Sequence, residues 1–89
     1  MRVVVRVYAS LRERLKWKEK VIELPKEKAS LAEVLSKIPI LKELINEKTL
    51  SDYMILINGI NIIMMNKLLS EIKDGDEIDI FPPAAGGLF

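Results

Sequence analysis

The sequence predicts an α+β domain, a sheet packed on one main helix, and three observations carry that reading. Near the start, Val3, Val5 and Val7 alternate with Arg2, Arg6 and Tyr8, and near the end Ile78 and Ile80 alternate with Glu77 and Asp79. A period of two marks a strand with one buried face. Between these strands lies Ser30-Leu31-Ala32-Glu33, a capping box in which the Ser30 hydroxyl accepts from the Glu33 amide and the Glu33 carboxylate from the Ser30 amide.

Taken in order, the first strand is followed by Leu11 and Leu15, four apart among charged residues, which predict a short amphipathic helix. Val4 interrupts the outward side of that strand. "EKVIELP" predicts a second strand with Ile22 and Leu24 inward and Pro25 ending it. The helix begun at Ser30 carries Leu31, Val34, Leu35 and Ile38 on one face. Pro39 interrupts it before Leu41, Leu44 and Ile45 resume the pattern, so one kinked helix or two short ones are expected. Tyr53 to Ile57 predicts a third strand, Asn58-Gly59 a turn of residues that tolerate positive φ, and Ile60 to Met64 a short returning strand. A helical turn, a bend at Lys73-Asp74-Gly75-Asp76 and the last strand complete the domain. The bend is expected to bond its Asp side chains to local amides, with Gly75 at positive φ.

Composition removes several function classes. The 89 residues provide one domain, 49% apolar and 30% charged, with room for a single compact core. With no cysteine and no histidine, the chain lacks a thiol nucleophile, a catalytic Ser-His or Cys-His pair, and the usual zinc and iron–sulfur ligands. A net charge of +1 with interspersed signs gives no basic stripe for nucleic acid. Met54 to Met65, the most apolar stretch, is broken by Asn58, Gly59 and Asn61 and falls short of the ~20 residues of a membrane span. No leader pattern opens the sequence, so a cytoplasmic location is expected, with neither a membrane nor a nucleic-acid partner.

The sequence then departs from packed pattern. After Phe81, Pro82-Pro83 stops the strand and Ala84-Ala85-Gly86-Gly87 has no large side chain to bury, which divides the chain into a domain over 1–83 and a flexible tail over 84–89. The runs "VYASLRERL", "SLAEVLSKI", "INGIN" and "KDGDEIDIFPPAAGG" together resemble the ubiquitin-like sulfur carriers of the MoaD/ThiS family, and within it the small subunit of molybdopterin synthase. The specific part is the last run, where a DGDE turn, a strand ending in Phe-Pro-Pro, a small-residue spacer and Gly-Gly occur together. The resemblance implies a β-grasp fold, with a mixed sheet of about five strands on the helix.

The resemblance also implies a function. In that family the terminal glycine carboxylate is adenylated by an ATP-dependent, ubiquitin-activating-like enzyme. It is then converted to a thiocarboxylate and delivers sulfur to a pterin precursor in the larger synthase subunit. All the reacting groups belong to the terminal backbone or the partner, which fits a chain without His or Cys. No bound cofactor is implied, since ATP is used by the activating enzyme. Carried onto this sequence, Gly87 bears the sulfur and Gly86 permits threading through a narrow channel, because without a Cβ the backbone approaches ATP closely. Pro82 and Pro83 stiffen the root of the tail, and four residues beyond Pro83 place Gly87 roughly 14 Å out.

Phe81, outward by parity with Glu77 and Asp79, is either a docking anchor for the partners or part of a secondary cluster. Val4 invites the docking argument more weakly, and the lysines form solvated faces. Leu88-Phe89 departs from the family pattern, which ends at the second glycine. Removal of the dipeptide by a processing protease is therefore expected before activation. Two other functions fit the same residues: a ubiquitin-like modifier joined through Gly87 to lysines, and a β-grasp binding module with an inert tail.

Overall fold

The computed structural model describes residues 1–83. β1 (Arg2–Val7), β2 (Glu19–Glu23), β4 (Met54–Ile57), β5 (Ile60–Asn61) and β7 (Glu77–Phe81) form one sheet in the order β2-β1-β7-β4-β5. β1 and β7 pair in parallel and the other neighbours antiparallel, so the sheet is mixed, as a β-grasp requires. Its core face carries Val3, Val5, Val7, Ile22, Ile55, Ile57, Ile78 and Ile80, all buried. Alternation places them there, since successive strand residues point to opposite faces.

The helical layer is two short helices, α2 (Leu31–Leu35) and α3 (Pro39–Leu44). Ile38, ahead of the proline, is held extended at φ −121° and ψ 92°, because the proline ring disfavours the α region in the preceding residue. Pro39 then starts α3 at a position where its missing N–H is not needed. Both arms of the capping box form, at 3.1 Å from the Glu33 amide to Ser30 Oγ and 3.2 Å from the Ser30 amide to Glu33 Oε1. Leu31, Val34, Leu35, Ile38, Leu41 and Ile45 close the core against the sheet. The first helix, α1 (Ser10–Leu15), buries Leu11.

Two features differ from the sequence reading. The returning strand stops after Asn61, and Ile62–Met64 turns as a 3-10 helix. Asn61 Oδ1 accepts from the Ile63 amide at 3.0 Å, and such a local cap competes with strand pairing. The second is an additional sheet, β3 (Lys28–Ser30) paired antiparallel with β6 (Glu71–Lys73), with Ala29 opposite Ile72. Both of these residues are buried, and the Leu31 amide donates to the Ser70 carbonyl at 2.9 Å.

Candidate functional site

β7 is a central strand, and its C-terminal end is the root from which residues 84–89 continue. Phe81 lies opposite Met54 of β4. On its other side the parallel register, Val7 to Ile80, carries Tyr8 level with Phe81. The two rings stack with centroids 4.2 Å apart and planes 9° from parallel. Phe81 thus belongs to an aromatic pair on the outer face of the sheet and stays half-buried, so a part of the ring remains accessible. Pro82 is also half-buried and Pro83 exposed. Met54, 45% exposed, extends the apolar surface beside the ring.

Charges brace the aromatic pair. Tyr8 Oη donates to Asp79 Oδ1 at 2.7 Å, and this bond, with partial burial, pushes the phenol above its usual range. Arg12 packs its guanidinium 4.7 Å over the Tyr8 ring while its Nε donates to the Val7 carbonyl at 2.6 Å. Next along β1, Arg6 donates to Glu77 Oε1 at 2.6 Å and to Glu19 Oε1 at 2.9 Å, and lies 3.7 Å from Asp79 Oδ1. These bonds raise its already high pKa further, so it is a fixed cation among carboxylates. Val4 lies half-buried between Val21 and Glu77.

The start of β7 is pinned by the turn before it and by Asn58. Gly75 takes φ +85°, and Asp76 Oδ2 accepts from the Lys73 amide at 2.8 Å, the local bond the turn predicts. Asp74 differs from the expectation of a local bond, because its Oδ1 accepts from the Arg2 amide at 2.7 Å and ties the turn to β1. Asn58, at φ +50°, donates to Asp76 Oδ1 and accepts from the Glu77 amide, each at 2.9 Å. The tail thus leaves a strand whose position is set by both neighbours.

The sequence reading brought Phe81, Pro82 and Pro83 together and missed Tyr8, Arg12 and Met54. The outward parity of Tyr8 was the available signal, but parity does not say which strand lies alongside. Gly86, Gly87 and the Leu88-Phe89 extension lie outside the described residues. Among the described residues no group of three or more acidic side chains is placed to hold a metal ion, and no helix is long and apolar enough to cross a membrane.

Residues 5–87 match the model of the ThiS family. The chain is similar to the solution structure of small archaeal modifier protein 1 from Methanosarcina acetivorans, at 36% identity and TM-score 0.73, covering 97% of this chain and 96% of that one. It is also similar to the HVO 2177 protein of Haloferax volcanii, at 26% identity and TM-score 0.77, over 98% and 87% of the two chains. A third likeness is to a chain in the complex of subunits 1 and 2 of molybdopterin-converting factor from Helicobacter pylori, at 25% identity and TM-score 0.59, over 98% of this chain and 100% of that one. No curated protein sequence matches the chain.

Proposed function

The chain belongs to the ThiS family of ubiquitin-like sulfur carriers and modifiers, and on that premise we propose that it carries sulfur as a thiocarboxylate on Gly87 for molybdopterin biosynthesis. The observation that supports this most directly is where the family match stops, at Gly87 and before Leu88. A carboxylate acylates poorly until one oxygen becomes a good leaving group. An activating partner with ATP supplies that by forming the Gly87 acyl-adenylate and releasing pyrophosphate. Attack by hydrosulfide on the acyl carbon forms the C–S bond, expels AMP and leaves the thiocarboxylate, which loses its proton and is nucleophilic at sulfur, as thiolates are.

The described residues suit such a tail. β7 holds the root in place, the Tyr8–Phe81 stack and Met54 offer a partly apolar platform beside it, and the prolines limit the entropy lost on insertion. The partner proposed for delivery is a larger synthase subunit, a pairing of the kind that the Helicobacter pylori complex joins. Because Gly87 is in peptide linkage to Leu88, a protease must remove Leu88-Phe89 first.

The test is the intact mass of the protein from its own cells, together with loading by the cognate adenylating enzyme, ATP and a sulfur source. A chain ending at Gly87 should gain one sulfur in place of oxygen, and the full chain should not. Equal loading of both chains overturns the trimming step, and loading of neither overturns the carrier reading. The likeness to an archaeal modifier at 36% identity favours a second reading, in which Gly87 is joined to lysines of other proteins. Gly87 found in isopeptide linkage on cellular proteins would establish it.

A further inference from the structure

The apolar side chains that the core does not use are concentrated at one edge of the molecule. Of the eight large apolar residues exposed among those described, five lie within ten positions, Ile60, Ile63, Met64, Met65 and Leu69, with Met64 the most exposed at 80%. Such crowding exceeds the single apolar residues of an ordinary surface and marks an interaction site. Ile63 and Leu69 line a groove of about 510 Å³, and Met64 follows at its rim without lining it. The face therefore offers a projection and a recess side by side.

The two walls of the groove are oppositely charged. One comes from the segment Glu47 to Tyr53 and carries Glu47, and the other comes from Asn61 to Leu69 and carries Lys67. Both charges are exposed, and among the described residues neither is in an ion pair. Each sits on a braced turn. Asn46 Oδ1 accepts from the Lys48 amide at 2.8 Å and from the Thr49 amide at 3.2 Å. On the other wall Ser70 Oγ accepts from the Asn66 amide, and the Ser70 amide donates to the Lys67 carbonyl, each at 3.0 Å. A pre-formed surface of this kind loses less entropy on association.

We propose that this face binds a second copy of the chain in a two-fold symmetric dimer. A two-fold axis through the groove carries each wall onto the opposite wall of the partner copy. It sets Glu47 of each copy against Lys67 of the other, the self-complementarity that an isologous interface demands. Met64 of each copy then fills the recess of the other, a role its flexible, unbranched side chain suits. A net charge of +1 leaves little repulsion between copies. β5, with two residues, is too short an edge to be extended by a strand, so side chains make the contact. The exposed apolar surface is on the order of several hundred Å², short of the ~800 Å² per partner of a standard interface, so the dimer is weak and reversible. Because the β5 edge lies two strands from β7, both copies keep the Phe81 end of that strand free for other partners. The dimer does not depend on what Gly87 carries.

The test is sedimentation velocity and methyl NMR of the full chain between about 10 μM and 1 mM, the range of a weak interface. The mass should rise from one chain to two and no further. The Ile63, Met64 and Leu69 methyls should shift with it, while those of Val21, on β2 at the opposite edge of the sheet, stay in place. Glu47→Lys and Lys67→Glu should each weaken the dimer at least about tenfold by bringing like charges together. An equimolar mixture of the two variants should associate as the unaltered chain does, and so should the chain carrying both substitutions, because each case restores two opposite pairs. Met64→Ser should weaken association without lowering thermal stability, since the side chain is exposed. A single-chain mass at every concentration overturns the proposal. So does growth beyond two chains, which marks an open head-to-tail contact. Association indifferent to the charge variants assigns the contact to another surface, and weakening that mixing fails to reverse removes the two-fold pairing; either result overturns it as well.

Discussion

Asn58 shows how much one side chain decides at the residue scale. A non-glycine residue at φ +50° is uncommon, and here the side chain bridges Asp76 and the Glu77 amide at the start of β7. Asn58→Ala loses both bonds and keeps the strained φ, which should cost about 1–3 kcal/mol in chemical denaturation. Asn58→Gly relieves the φ and should cost less; equal losses would show that conformation contributes nothing. Tyr8 offers a spectroscopic test of the other end. Its phenol is raised above 10.0 first by the bond to Asp79 and then by burial. The stability it contributes is complete below its unfolded pKa and is lost as pH rises through the higher folded one. Phenolate absorbance of Tyr8 should therefore rise at higher pH in the folded protein than in the unfolded chain, and Asp79→Asn should move that rise to lower pH. The sequence made the outward parity of Tyr8 and Phe81 legible, but not that the two would meet.

At the scale of elements, the start of α2 and the small sheet are informative. Glu33 is held below the usual 4.5, chiefly by its hydrogen bond to Lys26 and then by the Ser30 amide. A lowered pKa gives stability that is present above the unfolded value and lost as pH falls through the folded one. Acid unfolding should thus include a contribution from this cap that fades as pH falls below 4.5, and Glu33→Gln, which can still close the box, should lack it. The capping box was readable because its partners are three residues apart. The β3–β6 pair was not, because strands of three residues are too short to show a period and their partners lie far apart in sequence. Ile72 is nonetheless fully buried there, so Ile72→Ala should cost roughly 2–5 kcal/mol of thermal or denaturant stability. A loss within the range of surface substitutions would show that the small sheet is peripheral to the core. The helical segment had two legible outcomes, one kinked helix or two, and the extended conformation forced on Ile38 decided for two.

At the scale of the molecule, the sheet brings the first strand against the last and so builds the tail root. If the Tyr8–Phe81 platform docks the partners, Phe81→Ala should weaken binding of the larger subunit about tenfold or more. On folding it should cost the lost stack, about 0.5–1.5 kcal/mol, together with the burial of a half-exposed ring. Unchanged affinity, measured calorimetrically with the chain ending at Gly87, would confine Phe81 to a structural role.

The sequence by itself determined which face β1, β2 and β7 bury, where α2 begins, the positive-φ turns at Asn58-Gly59 and Gly75, and the small-residue run that follows Pro83. All of these are local, because the two-residue period, the capping spacing and φ preferences are written over a few adjacent residues. Tertiary structure alone decided that Tyr8 stacks on Phe81, that Asp74 reaches the Arg2 amide, and that Tyr53 and Leu69 share one groove. Those pairings depend on the register between distant strands, which is fixed when the core closes and every buried face must be satisfied at once.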